Sequence, residues 1–364
     1  MNKLFGEVYK GRRVLVTGHT GFKGSWLALW LSSMGAKVVG YSLAPETQPN
    51  HFDLLDITCD SIISDIRDND KLKSVVFKYQ PEMIFHLAAQ PLVRRGYREP
   101  VDTFATNVMG TVNLLDSCRG STAVRVILVV TSDKCYENQQ LNRGYCENDP
   151  LGGYDPYSAS KGCTEIVTSS YRRSFFPIEQ FGKKHNVLVA SARVGNVIGG
   201  GDWSEDRLIP DIVKAVSKKE KVFIRNPVST RPWQHVLESL AGYFILGQKM
   251  LMGDVECATA WNFGPYKDGE LSVEHMIKKM QQVWGGIEYQ VSESNEMHEA
   301  KFLQLDSTKA RTVLGWSQVW GIDETVEKTS KWYQQFYEKQ EVITDQQISE
   351  YVETARDKKL DWAL

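Results

Sequence analysis

Residues 12–35, RRVLVTGHTGFKGSWLALWLSSMG, restrict the fold more than any other stretch of the chain. The valine-rich run RRVLVT reads as a buried strand, and the apolar SWLALWLSS as a helix that Gly35 closes. Between them Gly18, Gly21 and Gly24 recur at every third position. Glycine there permits a tight turn, close approach of the backbone to a pyrophosphate, and close packing of helix on strand. The helix N-terminus adds amide donors and a positive dipole end. Because this loop follows a strand and opens a helix, it reads as a dinucleotide cradle built from Gly18, His19, Gly21, Phe22, Lys23 and Gly24. His19 and Lys23 are unusual, since small or apolar residues ordinarily occupy such positions. They are expected either to alter the fit of the loop to the dinucleotide or to face solvent.

The rest of the first half repeats the alternation. KVVGYS, SIISDI, EMIFHLAA, VRVILVVTS and NVLVASARVGNVIG read as further strands. TFATNVMGTVNLLDSC and a segment from about Tyr157 read as helices between them. This pattern predicts an α/β chain with a doubly wound parallel sheet of Rossmann type. After Gly199 the texture shifts to loops, short strands and aromatics, followed by charged helices. We expect a dinucleotide-binding domain over residues 1–200, a returning segment near 235–265, and a smaller, mainly substrate-binding region over 201–364.

A net charge of −2 argues against broad nucleic-acid binding. The start MNKLFGEVYKGRR has no apolar signal core, and the apolar runs VILVV and WLALWL are too short for a membrane span. The six cysteines show no CxxC spacing and the seven histidines no HxxxH spacing, so no metal site and a reducing, cytoplasmic setting are expected. The second strand ends VVGYSLAP, with neither an acid for an adenosine ribose nor an Arg for a 2′-phosphate, so it leaves NAD and NADP both open. Asp65 is a candidate partner for the adenine edge, or a helix N-cap.

In YSASK, Tyr157 and Lys161 fall at i and i+4 on one helix face. An ammonium there favours phenolate and lowers the phenol's pKa, which suits Tyr157 to act as general base towards an alcohol. The fifth strand ends in TSDK, placing Ser132 at the carboxyl edge of the sheet, where such folds bind ligands. Together these motifs resemble the extended short-chain dehydrogenase/reductase superfamily over essentially the whole chain. HLAAQ, with Ala88, fits its fourth-strand motif, Asn107 its helix asparagine, and ARVGNVIGGGDW its sixth-strand exit. Within that superfamily Ser132-Asp133-Lys134 resembles the Thr-Asp-Glu of sugar-nucleotide 4,6-dehydratases, and the wider set of motifs resembles their CDP-glucose branch.

The resemblance implies that hydride leaves C4 for NAD and returns to C6, as Tyr157 takes the 4-hydroxyl proton and Asp133 protonates the departing 6-hydroxyl. Lys134, standing where the pattern has Glu, either removes the C5 proton, for which it must be neutral, or only binds substrate. Arg207 and Arg231 suit a diphosphate clamp. Asn196 matches a position that meets substrate phosphate in the family, and Gln90 and Arg94 border the sugar. Trp203 and Trp233 line the nucleotide or belong to the core. The resemblance also implies a homodimer through the helices of Asn107 and Tyr157–Lys161, and a place in deoxysugar biosynthesis. No residue here separates cytosine from other bases. The rival readings are an epimerase or reductase of the same superfamily and a non-catalytic NAD-binding regulator, which would have no use for Ser132, Asp133, Tyr157 and Lys161 together.

Overall fold

The computed structural model describes residues 3–224, 226–291 and 303–364. Its main sheet is built from β1 (Arg13–Thr17), β2 (Lys37–Ser42), β3 (Cys59–Ile63), β4 (Met83–His86), β5 (Val126–Val130) and β6 (Leu188–Val194). Three short strands follow, β7 (Asn196–Ile198), β8 (Val222–Ile224) and β9 (Thr230–His235), and then β10 (Ala260–Phe263) returns to the main sheet. The order is β3-β2-β1-β4-β5-β6-β10, with every pairing parallel. Helices cover both faces, so the central strands are apolar on both sides. Val126, Leu128 and Val130 enter one core, and Ile127 and Val129 the other. The strand order reverses between β1 and β4, and their carboxyl ends open a crevice there.

The helix Val236–Leu251 packs on β5, β6 and the glycine-loop helix Phe22–Ser33, which brings the chain back to the sheet before β10. With β11 (Glu270–Ser272), β9 and β7 form a three-stranded sheet. β12 (Tyr289–Val291) pairs with β8. The last helix, Thr344–Asp357, departs from the expectation that residues 201–364 serve mainly the substrate side. Its apolar face of Ile348, Tyr351, Val352 and Ala355 is buried, and the helix packs against Phe22–Ser33. Trp362 then stacks on Phe5 at 4.9 Å. The glycine-loop helix is apolar on nearly every side and needs this second cover. Among the described residues no helix is long and apolar enough to cross a membrane.

Candidate active site

The glycine loop is fixed by clearance. Gly18 sits at φ +77°, and a Cβ on it would stand 2.8 Å from the Ala88 nitrogen. A Cβ on Gly24 would stand 1.9 Å from the Gly18 carbonyl oxygen. The floor beneath is pinned by Thr17, whose Oγ1 lies 2.7 Å from His86 Nδ1 and accepts from Ala88 N at 3.2 Å. His19 does not face solvent. Its imidazole is buried, with Nε2 2.7 Å from Ser61 Oγ and the ring edge-on to Phe52. It occupies space that Gly40 leaves free, since a Cβ there would come within 2.3 Å of the ring. Burial lowers its pKa to about 4, so it is neutral near pH 7.

Lys23 projects the other way, into a cleft of about 910 Å³. Burial, then the charges of Arg207 and Lys161, lower its pKa to about 7, while Asp133 opposes the shift. Among the described residues no hydrogen bond or ion pair engages its ammonium, and a pyrophosphate over the Gly18–Gly24 loop would supply a counter-charge. The cradle therefore fits a dinucleotide. Of the residues expected to hold cofactor or substrate, all but His19 line this cleft. Asp65 lies in its wall, bound by Arg67 through the backbone amide and the guanidinium. It is no N-cap, because Asp68 caps the helix Asn69–Tyr79.

At the carboxyl end of β5, Ser132 Oγ donates to Asp133 Oδ1 at 2.9 Å, and its hydroxyl lies near enough to the Tyr157 phenol to lower that group's pKa. Tyr157 and Lys161 lie on the helix Pro156–Ser174, whose N-cap Asp155 accepts from Ser158 N. Ser132, Asp133, Tyr157 and Lys161 are all buried, and Lys134 is half-buried in the wall. The pKa of Tyr157 runs opposite to expectation. Burial pushes it up to about 12, although the Ser132 hydroxyl and the Arg207 charge pull it back. Burial likewise lowers Lys161 to about 8, opposed by Glu165 and Cys135. Asn107 sits in a π-helical turn, Ala105–Met109, within the run 100–118. Its amide bonds both backbone groups of Gln90 and donates to Ser160 Oγ, tying the β4 exit to the helix of Tyr157 and Lys161.

The substrate candidates come from several elements. Arg94 reaches across the cleft to Asp206 at 3.4 Å, and Arg207 pairs with Asp202 at 3.3 Å. Arg231 donates to the Thr230 carbonyl, and Asn196 opens β7. The Gln90 side chain is spent on Leu92 and Thr103, so it shapes the wall from behind. Trp203 and Trp233 are largely core: Trp203 packs among Trp332, Tyr333 and Phe336, and Trp233 donates to the Leu271 carbonyl.

A family model described as GDP-mannose 4,6 dehydratase matches residues 15–329. The chain belongs to this family. It is 46% identical to the CDP-glucose 4,6-dehydratase of Salmonella typhimurium, over 94% of this chain and 97% of that one. Identity to a UDP-glucose 4-epimerase of Erwinia amylovora is 27%, over 88% and 98% of the two chains. The structure of a dTDP-glucose 4,6-dehydratase from Bacillus anthracis, in complex with NAD, superposes with a TM-score of 0.73 at 19% identity. That match covers 89% of this chain and 97% of the other, and it bears on fold alone.

In this member of the dehydratase family three residues escape motif reading. Gly195 leaves room for the acid, since a Cβ there would lie 3.1 Å from Asp133 Oδ2 and 2.8 Å from Pro232. Glu165 follows Lys161 by one helical turn, a spacing that could have singled it out. Arg193 is a charge inside the buried strand LVASARV, which is signal enough to ask for its partner.

Proposed function

We propose that this protein is an NAD-dependent nucleotide-sugar 4,6-dehydratase that converts CDP-D-glucose to CDP-4-keto-6-deoxy-D-glucose and water. One observation carries the reading: a buried carboxyl group, Asp133, hydrogen-bonded to Ser132, shares one cleft with Tyr157. An enzyme that only oxidises C4 needs a base but has no use for a second proton donor. NAD, when bound, supplies the hydride acceptor at C4 and the donor at C6. Tyr157 takes the 4-hydroxyl proton; burial raises its pKa and opposes the required ionisation, while the Ser132 hydroxyl and the Arg207 charge favour it. The 4-ketone acidifies C5–H, and Lys134, from the cleft wall, removes that proton. Asp133 protonates O6 as water departs, and the C5 proton is returned when C6 accepts hydride. Arg207, Arg231 and Asn196 hold the diphosphate. The cytidine assignment is supported by the near full-length likeness to the Salmonella enzyme.

Incubating the protein with NAD and a panel of nucleoside-diphosphate glucoses tests this reading. Mass spectrometry is expected to show loss of one water from CDP-glucose, and C4 deuterium is expected to reappear at C6. No reaction with any member, or net release of NADH, overturns it.

We also propose that the protein is a homodimer through the helical run 100–118 and the helix Pro156–Ser174. Val101 (81% exposed), Met109 (51%) and Ile166 (57%) present an apolar surface there, which a second copy would cover. Ile166→Asp is expected to halve the mass seen by sedimentation velocity; a wild-type monomer refutes the dimer.

A further inference from the structure

Glu165 and Arg193 form an ion pair of 2.8 Å with side-chain exposures of only 3% and 4%. Such a pair is a poor source of stability, because desolvating both charges offsets their attraction and apolar residues would serve the core as well. What the pair touches is more informative. One Glu165 oxygen accepts from Thr131 Oγ1, and the other from Ser191 Oγ at 2.7 Å. Arg193 donates to Tyr136 Oη at 2.7 Å and to the Glu147 carbonyl at 2.9 Å, and its guanidinium lies over the Tyr136 ring. Thr131 immediately precedes Ser132, Asp133 and Lys134, and Tyr136 follows them after Cys135. The two charges therefore grip opposite ends of the turn that carries the acid. Tyr136 extends the grip to the sheet, donating to Asn262 Oδ1 on β10 at 2.8 Å. Glu165 itself stands on the helix of Tyr157 and Lys161, one turn beyond Lys161.

We propose that Glu165 and Arg193 are positioning residues, a clamp that fixes Asp133 against Tyr157 and Lys161 so that both proton transfers can occur on one bound sugar. The need is geometric, and it rests on the dehydratase reading. The 6-hydroxyl of a hexose swings only about the C5–C6 bond, so the base on the helix and the acid on the strand end must stand within the narrow range of spacings this allows between O4 and O6. The loop between them, residues 137–155, is long and irregular and cannot set that spacing. The clamp crosses beneath it. Proton transfer tolerates little error, and a misplacement of about 1 Å can cost on the order of 100-fold in rate.

Removing Glu165 alone would strand a buried guanidinium and endanger folding, so milder changes at the two grips decide the matter. Thr131→Val and Tyr136→Phe each delete one hydroxyl, and Thr131→Ser restores one. With CDP-glucose and NAD, the two deletions are expected to slow water loss about 10- to 100-fold, with KM changed by less than about threefold. Asp133 moves in them while the Tyr157–Lys161 helix does not, so C4 oxidation outpaces elimination. Reduced cofactor should accumulate on the enzyme in a single turnover, and Thr131→Ser should recover most of the wild-type rate. Thermal melts and NAD titrations of the same samples report whether the fold and the cradle survive. Wild-type rates in both deletion variants overturn the clamp, as does equal loss of oxidation and elimination, or failure of Thr131→Ser to rescue. Wild-type enzyme that releases no water from any nucleotide glucose overturns the dehydratase reading and the clamp with it.

Discussion

Asp133→Asn is expected to stop water loss while leaving C4 oxidation in place. Asparagine has nearly the same shape and keeps an oxygen for the Ser132 hydroxyl, which donates to Asp133 at 2.9 Å. It has no proton to give. Expelling O6 from the 4-keto sugar without protonation would release hydroxide, and a positioned general acid is worth roughly 10²–10⁴-fold. The rate of product formation, followed by mass, should fall by that factor. The absorbance of reduced nicotinamide should appear on adding CDP-glucose and persist, because hydride has left C4 and cannot move on. An epimerase would behave differently, since its turnover at C4 needs no acid at O6. Undiminished dehydration by Asp133→Asn would remove Asp133 from the mechanism. Loss of oxidation as well would mean that it acts by holding Ser132 beside Tyr157 rather than as the acid.

The parts of this site that can be read from sequence are those whose meaning is local. Gly18, Gly21 and Gly24 declare themselves through a strand before and a helix after. Tyr157 and Lys161 do so through helical spacing, and Ser132 and Asp133 through a strand end. What escapes depends on partners far along the chain. His19 looks like an exposed oddity until Gly40 on the neighbouring strand is seen to make room for its ring. Asp65 offers itself as a cap, but Asp68 takes that place and Arg67 takes Asp65. The spacing of Tyr157 and Lys161 announces a cation one turn away but is silent on desolvation, which dominates the phenol and has the opposite sign. Thr131 and Tyr136 at the two ends of one turn, Glu165 on a helix and Arg193 on β6 converge only once β5 and β6 pair and the helix Pro156–Ser174 lies across them. The strand alternation likewise announces the sheet, but the final helix shows only an apolar face and not which partner will cover it.

Stability is expected to drop steeply as pH falls below neutrality. His51, His86 and His235 are all buried, and burial lowers each pKa from 6.5 to about 3. They are held neutral by their surroundings: His51 between Ser25 and Thr344, His86 between Thr17 and Thr111, and His235 beside Trp320 and Trp26. Between about pH 6.5 and 3 the unfolded chain binds these protons and the folded chain does not, so acid favours unfolding. Glu238 works the other way. Burial raises its pKa from 4.5 to about 7, although Val319 N, Trp320 N and Tyr351 Oη all donate to it. Its stabilisation is complete below about pH 4.5 and is lost as pH rises through 7, which offsets one histidine in that interval. Lys23 and Lys161 are already largely charged in both states below about pH 7 and add little to the slope. His19, lowered to about 4, adds a fourth; four histidines less one glutamate leave about three protons between about pH 6 and 5, hence a loss of roughly 4 kcal/mol per pH unit there. Against a typical total of about 5–15 kcal/mol, that unfolds the protein within a few pH units. Urea titrations at successive pH values measure the slope directly. His51→Gln can keep a hydrogen bond while removing one proton site, and should lower the slope by about 1.4 kcal/mol per pH unit. A flat profile between pH 7 and 5 would mean that these histidines are protonated in the folded protein, and would overturn the prediction.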